Sequence, residues 1–186
     1  MYKLIPFDES LDLTKFYQEA AKRGFDNNSS QKAMVDCFQN EKEWKVWILY
    51  QGTTPVGSVA THTFDSVMGK NAWRICARTC AFSISRPKKG LLTSNQMFNR
   101  HQHITDQLFI PATIDWIGLG QRYFATSNES EKASQRLVNK LYFPTLEKMN
   151  IVQQVARIKY RGHLQTIWEY DIDAFMKSLN QHPRWV

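Results

Sequence analysis

Two of the three cysteines lie four positions apart around an arginine, in "RICARTC" (Arg74–Cys80), and this is the densest set of reactive residue types in the chain. On a helix, Cys76 and Cys80 would be neighbours able to share a metal or a redox step. On a strand, four steps of ~3.3 Å put them ~13 Å apart, well beyond the ~7 Å within which disulfide Cα atoms lie. With strict alternation, Arg74, Cys76, Arg78 and Cys80 then share one face. A covered Arg78 needs an anion there, either a carboxylate in the sheet or an anionic ligand. Other chemistries find less support: the cysteines form no CxxC and the five histidines no HExxH, so no metal is expected. No Gly-x-Ser-x-Gly elbow occurs, which argues against a serine hydrolase. His62 reads as a structural strand histidine or a general base.

The totals fit one globular domain over residues 1–186: 42% hydrophobic, 13% aromatic and 22% charged. The N-terminal segment "MYKLIPFDES" lacks a basic stretch followed by an apolar run, and no apolar stretch is long enough for a membrane span. A cytoplasmic location with reduced thiols is expected, and no membrane partner. Lysine plus arginine exceed aspartate plus glutamate, 24 against 17, which favours anionic partners such as nucleic acid or a phosphate-bearing cofactor. The densest basic run, "SRPKKG", reads as a solvated loop.

"YKLIPF" reads as a strand, and Asp12 as a cap for a helix over "LTKFYQEAAKRG" that ends at Gly24. "QKAMVDCFQNEKEW" has helical spacing, with Cys37 on its apolar face. "WKVWILYQGTTPVGSVATHTF" reads as two strands around a turn, followed by a third strand in "AWRICARTCAFSI". Residues 85–103 show no clear periodicity. A helix is expected in "ITDQLFIPATIDWIG", kinked or started late by Pro111. "RYFATSN" is a short strand, "ESEKASQRLVNKLYFPTLEKMN" a long helix disturbed at Pro144, and "IVQQVARIKY" with "HLQTIWEYD" a second hairpin around "RGH". A short helix near Asp173 closes the chain.

Strands in hairpins at some places and helices between strands at others predict a mixed α+β sheet. This order of elements resembles the GNAT superfamily of N-acyltransferases along nearly the whole chain. The local likeness is best at "VWILYQGTTPVGSVA" and from "YFATSN" to "YRGHLQTIWEYD". The resemblance implies a mostly antiparallel sheet of about seven strands with helices on both faces, splayed between the fourth and fifth strands.

It also implies that acetyl-CoA or another acyl-CoA enters that gap as co-substrate, its pantetheine pairing with the edge of the fourth strand at Phe82, Ser83 and Ile84. The family's phosphate loop, Gln or Arg-x-x-Gly-x-Gly or Ala, does not occur between residues 85 and 110, where Gly90 stands alone. Arg100, His101 and His103 near the next helix start are the substitute phosphate ligands, at a site helices favour for anions. Acyl transfer also needs a base, N–H donors and an acid. By position, Asn128 and Glu129 at the end of the fifth strand would hold the amine or a water, or else cap the following helix. The family's tyrosine position falls on Gln135, which leaves Tyr142 as the acid or as a half-buried helix residue. Arg78, Tyr160 and Gln165 would border the acceptor, a small amine or a peptide N-terminus. The alternative is a non-catalytic GNAT-like module, including a viral assembly component, that binds nucleic acid or a protein through a basic surface with Trp116, Trp168 and Trp185.

Overall fold

A computed structural model describes residues 2–22, 36, 38–80, 94–118, 120–129 and 138–181. The strands are β1 (Tyr2–Pro6), β2 (Trp44–Gln51), β3 (Thr54–Thr63), β4 (Ala72–Cys80), β5 (Arg122–Asn128), β6 (Val152–Tyr160) and β7 (His163–Tyr170). The helices are α1 (Thr14–Lys22), a single turn α2 (Asp65–Met68), α3 (Ser94–Ile117), α4 (Phe143–Lys148) and α5 (Ile172–Gln181), with a π-helical turn at Val138–Tyr142 leading into α4.

The strands form one sheet in the order β1-β2-β3-β4-β5-β7-β6. Every neighbouring pair is antiparallel except β4 and β5, which run parallel. Alternation places its two faces against different helices. Trp47 of β2, Val59 of β3, Trp73 and Ile75 of β4, Tyr123 and Ala125 of β5, and Trp168 and Tyr170 of β7 pack with Phe109 and Ile110 of α3, Phe143 and Leu146 of α4, and Phe175 of α5. Val46 and Ile48, one step out of phase on β2, pack instead with Leu13 just before α1, with Phe16 and Tyr17 of α1, and with Phe38. Burying each such large side chain contributes roughly 1.5–3 kcal/mol.

Local chemistry accounts for the ends of several elements. Asp12 accepts from the Thr14 backbone N–H at 3.1 Å, the expected cap of α1. The β6–β7 turn has two residues, both with positive φ (Arg161 at 49°, Gly162 at 82°), the primed geometry that matches strand twist.

Several expectations change. α3 begins at Ser94, inside the stretch without periodicity, and runs through Pro111 to Ile117. The proline removes one helical hydrogen bond, but Phe109 and Ile110 beside it are fully buried, and that packing holds the helix together. Of the long helix expected over 129–150, the described part from 138 onward is a π-helical turn running into six α-helical residues, with Pro144 just after the π-helical turn; residues 130–137 lie outside the described residues. The turn α2 was not foreseen. Of the helix expected over 31–44, position 36 is helical, but residues 38–40 form a turn, 41–43 a bend and Trp44 begins β2, so its second half is not a helix; residues 31–35, 37 and 81–93 lie outside the described residues.

Candidate functional site

The parallel pairing of β4 with β5 is short. It joins Ala72, Trp73, Arg74 and Ile75 to Arg122, Tyr123, Phe124 and Ala125, and the register ends there. Beyond it, β4 continues beside β3 to Cys80 and β5 continues beside β7 to Asn128. The described pairing of the two central strands therefore ends at Ile75 and Ala125, and beyond it the inner sides of β4 and β5 are not joined to each other. Unpaired backbone N–H and C=O groups are strong ligands for an amide-bearing chain.

At the same level β4 carries a bulge. Ala60 pairs with Cys76, but Ser58 pairs with Thr79 and Gly57 with Cys80, so one extra residue of β4 is accommodated opposite Val59. This corrects the strict alternation read from the sequence: the register puts position 79, not 78, across from Ser58. Positions 76 and 80 do not belong to one alternating row. The Arg78 side chain lies outside the described residues, as do Phe82, Ser83 and Ile84. Arg100, His101 and His103 fall in the N-terminal half of α3, and their side chains are likewise outside the described set.

On the α1 side of the sheet, polar groups from four elements converge beside the opening. Arg74 donates to the Thr126 hydroxyl from Nε at 2.9 Å and from Nη2 at 2.6 Å. Its guanidinium also lies 4.9 Å from the Tyr160 ring centroid and 5.9 Å from that of Phe64. His62 of β3, with no exposed surface, has Nδ1 2.7 Å from the Thr63 carbonyl and 3.3 Å from Glu41. Both are acceptors, which assigns the proton to Nδ1 and leaves Nε2 to accept from Arg74 Nη1 at 3.4 Å. Burial, and then the Arg74 charge, push His62 down to about 4 against the opposing pull of Glu41, so the ring is neutral at pH 7. Glu41 also binds Arg161 across the top of the last hairpin. Burial works against the Arg161 charge, but Tyr160 and Glu41 outweigh it and raise its pKa.

The expected site residues divide between the two sides of the sheet. Asn128 pairs with Gln165 in the β5–β7 ladder, two steps from Thr126 on the same side as Arg74 and Tyr160. Gln165 is buried and donates to the Tyr160 carbonyl at 3.1 Å. Glu129 is held by Arg157 and accepts from Thr166 at 3.1 Å. The Arg157 hydrogen bond lowers its pKa, so it is a firmly ionised carboxylate. Glu129 and Thr166 line a cavity of about 410 Å³ with Asn139, Lys140, Pro144, Glu147, Gln154 and Trp168, away from Arg74. Tyr142 is buried and donates to Asp106, which also accepts from Tyr170 at 3.3 Å.

Sequence reading missed Glu41 and Thr126, which carry no motif, and placed Arg74 in a row without giving it a role. Among the described residues no cluster of His, Cys, Asp and Glu is arranged to hold a metal. No helix among them is long and apolar enough to cross a membrane. Trp168 is buried against Phe143 rather than forming an exposed aromatic surface; Trp116 is 37% exposed, and Trp185 is outside the described residues.

No family model and no curated protein sequence matches the chain. Solved structures do. FdhC, a nucleotide-linked sugar GNAT, superposes with TM-score 0.60 at 11% identity, covering 99% of this chain and 94% of that one. AAC(6')-Ib in complex with ribostamycin and coenzyme A gives 0.59 at 9% identity, covering 95% and 97%. FeeM, an N-acyl amino acid synthase from uncultured soil microbes, gives 0.53 at 8% identity, covering 94% and 93%. With a seven-stranded sheet parted between a parallel β4 and β5, and near-complete coverage by these structures, the chain has the GNAT fold.

Proposed function

We propose that this protein is an acyl-CoA-dependent N-acyltransferase, moving an acetyl group from acetyl-CoA to a primary amine. The supporting observation is the parting of β4 from β5 immediately after Ile75 and Ala125, with the β4 bulge at its edge. The free edge suits the amides of pantetheine, and a bulge turns a backbone N–H away from the ladder toward a thioester carbonyl. Coenzyme A is present in the AAC(6')-Ib structure of the same fold.

In this reading the CoA phosphates fall along the N-terminal half of α3, which begins at Ser94 and so leaves Arg100, His101 and His103 within the helix rather than at its start, and these three are the ligands; Phe82, Ser83 and Ile84 flank the pantetheine. The acceptor approaches from the α1 side, over Tyr160, Gln165 and Asn128, with Arg78 at the bulge. The amine must arrive deprotonated or lose its proton to water, because His62 is too weakly basic to remove it. Glu129, ionised and paired with Arg157, suits an anchoring role better than that of a base. Tyr142 serves as proton donor to the leaving thiolate only if its hydroxyl exchanges Asp106 for the sulfur.

Calorimetric titration with acetyl-CoA tests the reading. Binding that is competed by CoA, with thiol release in the presence of a mixed panel of primary amines, is the expected result. Absence of heat at millimolar ligand would overturn it in favour of a non-catalytic binding module.

A further inference from the structure

The charges beside the opening do not balance. Arg122 is held by Glu169, Arg157 by Glu129 and Arg161 by Glu41. Arg74 has no carboxylate partner among the described residues; its hydrogen-bond partners are the Thr126 hydroxyl and the neutral His62 ring, and its other neighbours are aromatic faces. Glu41, the nearest acid of the cluster, is already shared by His62 and Arg161. Among the described residues the group therefore keeps one net positive charge, on a half-buried guanidinium. Such a charge is costly unless an anion meets it.

Its hydrogen bonding is incomplete in the same sense. A guanidinium has five N–H donors, of which Thr126 takes two and His62 one, leaving two without a partner among the described residues. A planar fork with two free N–H groups matches a carboxylate. The position also separates this charge from the phosphates of acyl-CoA. Arg74 is the third residue of β4, whereas the proposed phosphate ligands lie past the strand's C-terminal end, on α3.

We infer, resting on the transfer reaction proposed above, that the acceptor carries a carboxylate beside its amine and that Arg74 receives that carboxylate. The acceptor class is then amino acids and their derivatives rather than uncharged amines. In the reaction the amine nitrogen attacks the thioester carbonyl, the C–N bond forms and the C–S bond breaks. The thiolate leaves as CoA and takes up a proton, while the amine nitrogen gives one up, so an N-acyl amino acid and free CoA result.

The test compares amino acids with the corresponding amino-acid amides as acceptors, using acetyl-CoA and reading thiol release. A charge-assisted pair implies kcat/KM higher for the acids by roughly 10- to 100-fold. Arg74→Met should remove that preference by lowering the rate with acids alone, and Arg74→Lys should restore part of it, with melting temperatures reported for both variants. Equal rates for acids and amides, or an equal loss for both on Arg74→Met, would overturn the inference while leaving acyl transfer intact. Should no amine be acylated, the transfer reading fails, and the Arg74 charge is tested separately. Glycine, but not glycinamide, should then shift the Arg74 Nε–H resonance in the wild-type protein, and no shift with either would overturn the inference.

Discussion

The two sides of β4 and β5 handle burial in opposite ways. On the α3 side, Trp73, Ile75, Tyr123 and Ala125 sit in an apolar layer closed by rings, with Phe109 edge-on to Trp47 at 5.2 Å and Phe143 stacked on Trp168 at 4.9 Å. On the α1 side, one residue out of phase, Arg74 and Thr126 meet His62, Glu41 and Tyr160. The first side is mostly apolar, although the buried hydroxyls of Thr61 and Thr113 find no partner among the described residues. The second leaves one guanidinium without a carboxylate among the described residues, and it is the side proposed above to meet the acceptor.

Substitutions on the two sides should therefore fail differently. The largest effect is expected on the packed side: Phe109→Ala should cost roughly 3–5 kcal/mol in urea unfolding, since a fully buried ring leaves a cavity. It should do so without changing acceptor preference. A loss below ~1 kcal/mol would mean the helix layer is not packed as described.

The polar side should show itself in pH dependence. His62 is held at about 4, below its ordinary 6.5, so the unfolded chain binds a proton there more readily than the folded one. Stability from this group is complete above about pH 6.5 and is lost as pH falls toward 4. The full loss is about 3 kcal/mol. Unfolding midpoints measured between pH 7 and 5 should fall in the wild type and fall less in His62→Gln; parallel curves would contradict the buried neutral ring.

Tyr142→Phe should have the smallest effect on folding, about 1–3 kcal/mol, from withdrawing one donor from buried Asp106. Kinetics decide its other role. If the hydroxyl protonates the leaving thiolate, kcat should fall together with kcat/KM; if it only supports Asp106, kcat should be unchanged once the protein is folded.

Much of the scaffold could be read directly, because period-two and period-3.6 patterns survive wherever one face is buried. β5, the β6–β7 hairpin and the closing helix lie where "RYFATSN", "RGH" and Asp173 put them. The start of α3 could not be read, since "SNQMFNRHQHITD" carries no apolar stripe and is helical as part of one longer element. The site was less legible than the scaffold. Glu41, His62, Arg74 and Thr126 come from separate elements and meet only through sheet order, which no local spacing encodes.

The extra residue in β4 changes how mutations in that strand should be judged. Up to Cys76 the strand keeps one phase with β3, and from Thr79 it keeps the other, so its two halves obey opposite parity. A substitution in either half alters one position. A single-residue deletion between them would remove the extra residue and still leave Thr79 opposite Ser58 and Cys80 opposite Gly57, so every later position would keep its face. A deletion elsewhere in the strand would instead shift the register and turn side chains to the other face. At this one point a lost residue would take away the bulge that borders the opening and spare the packing, which makes the chain's length there as informative as its residue types.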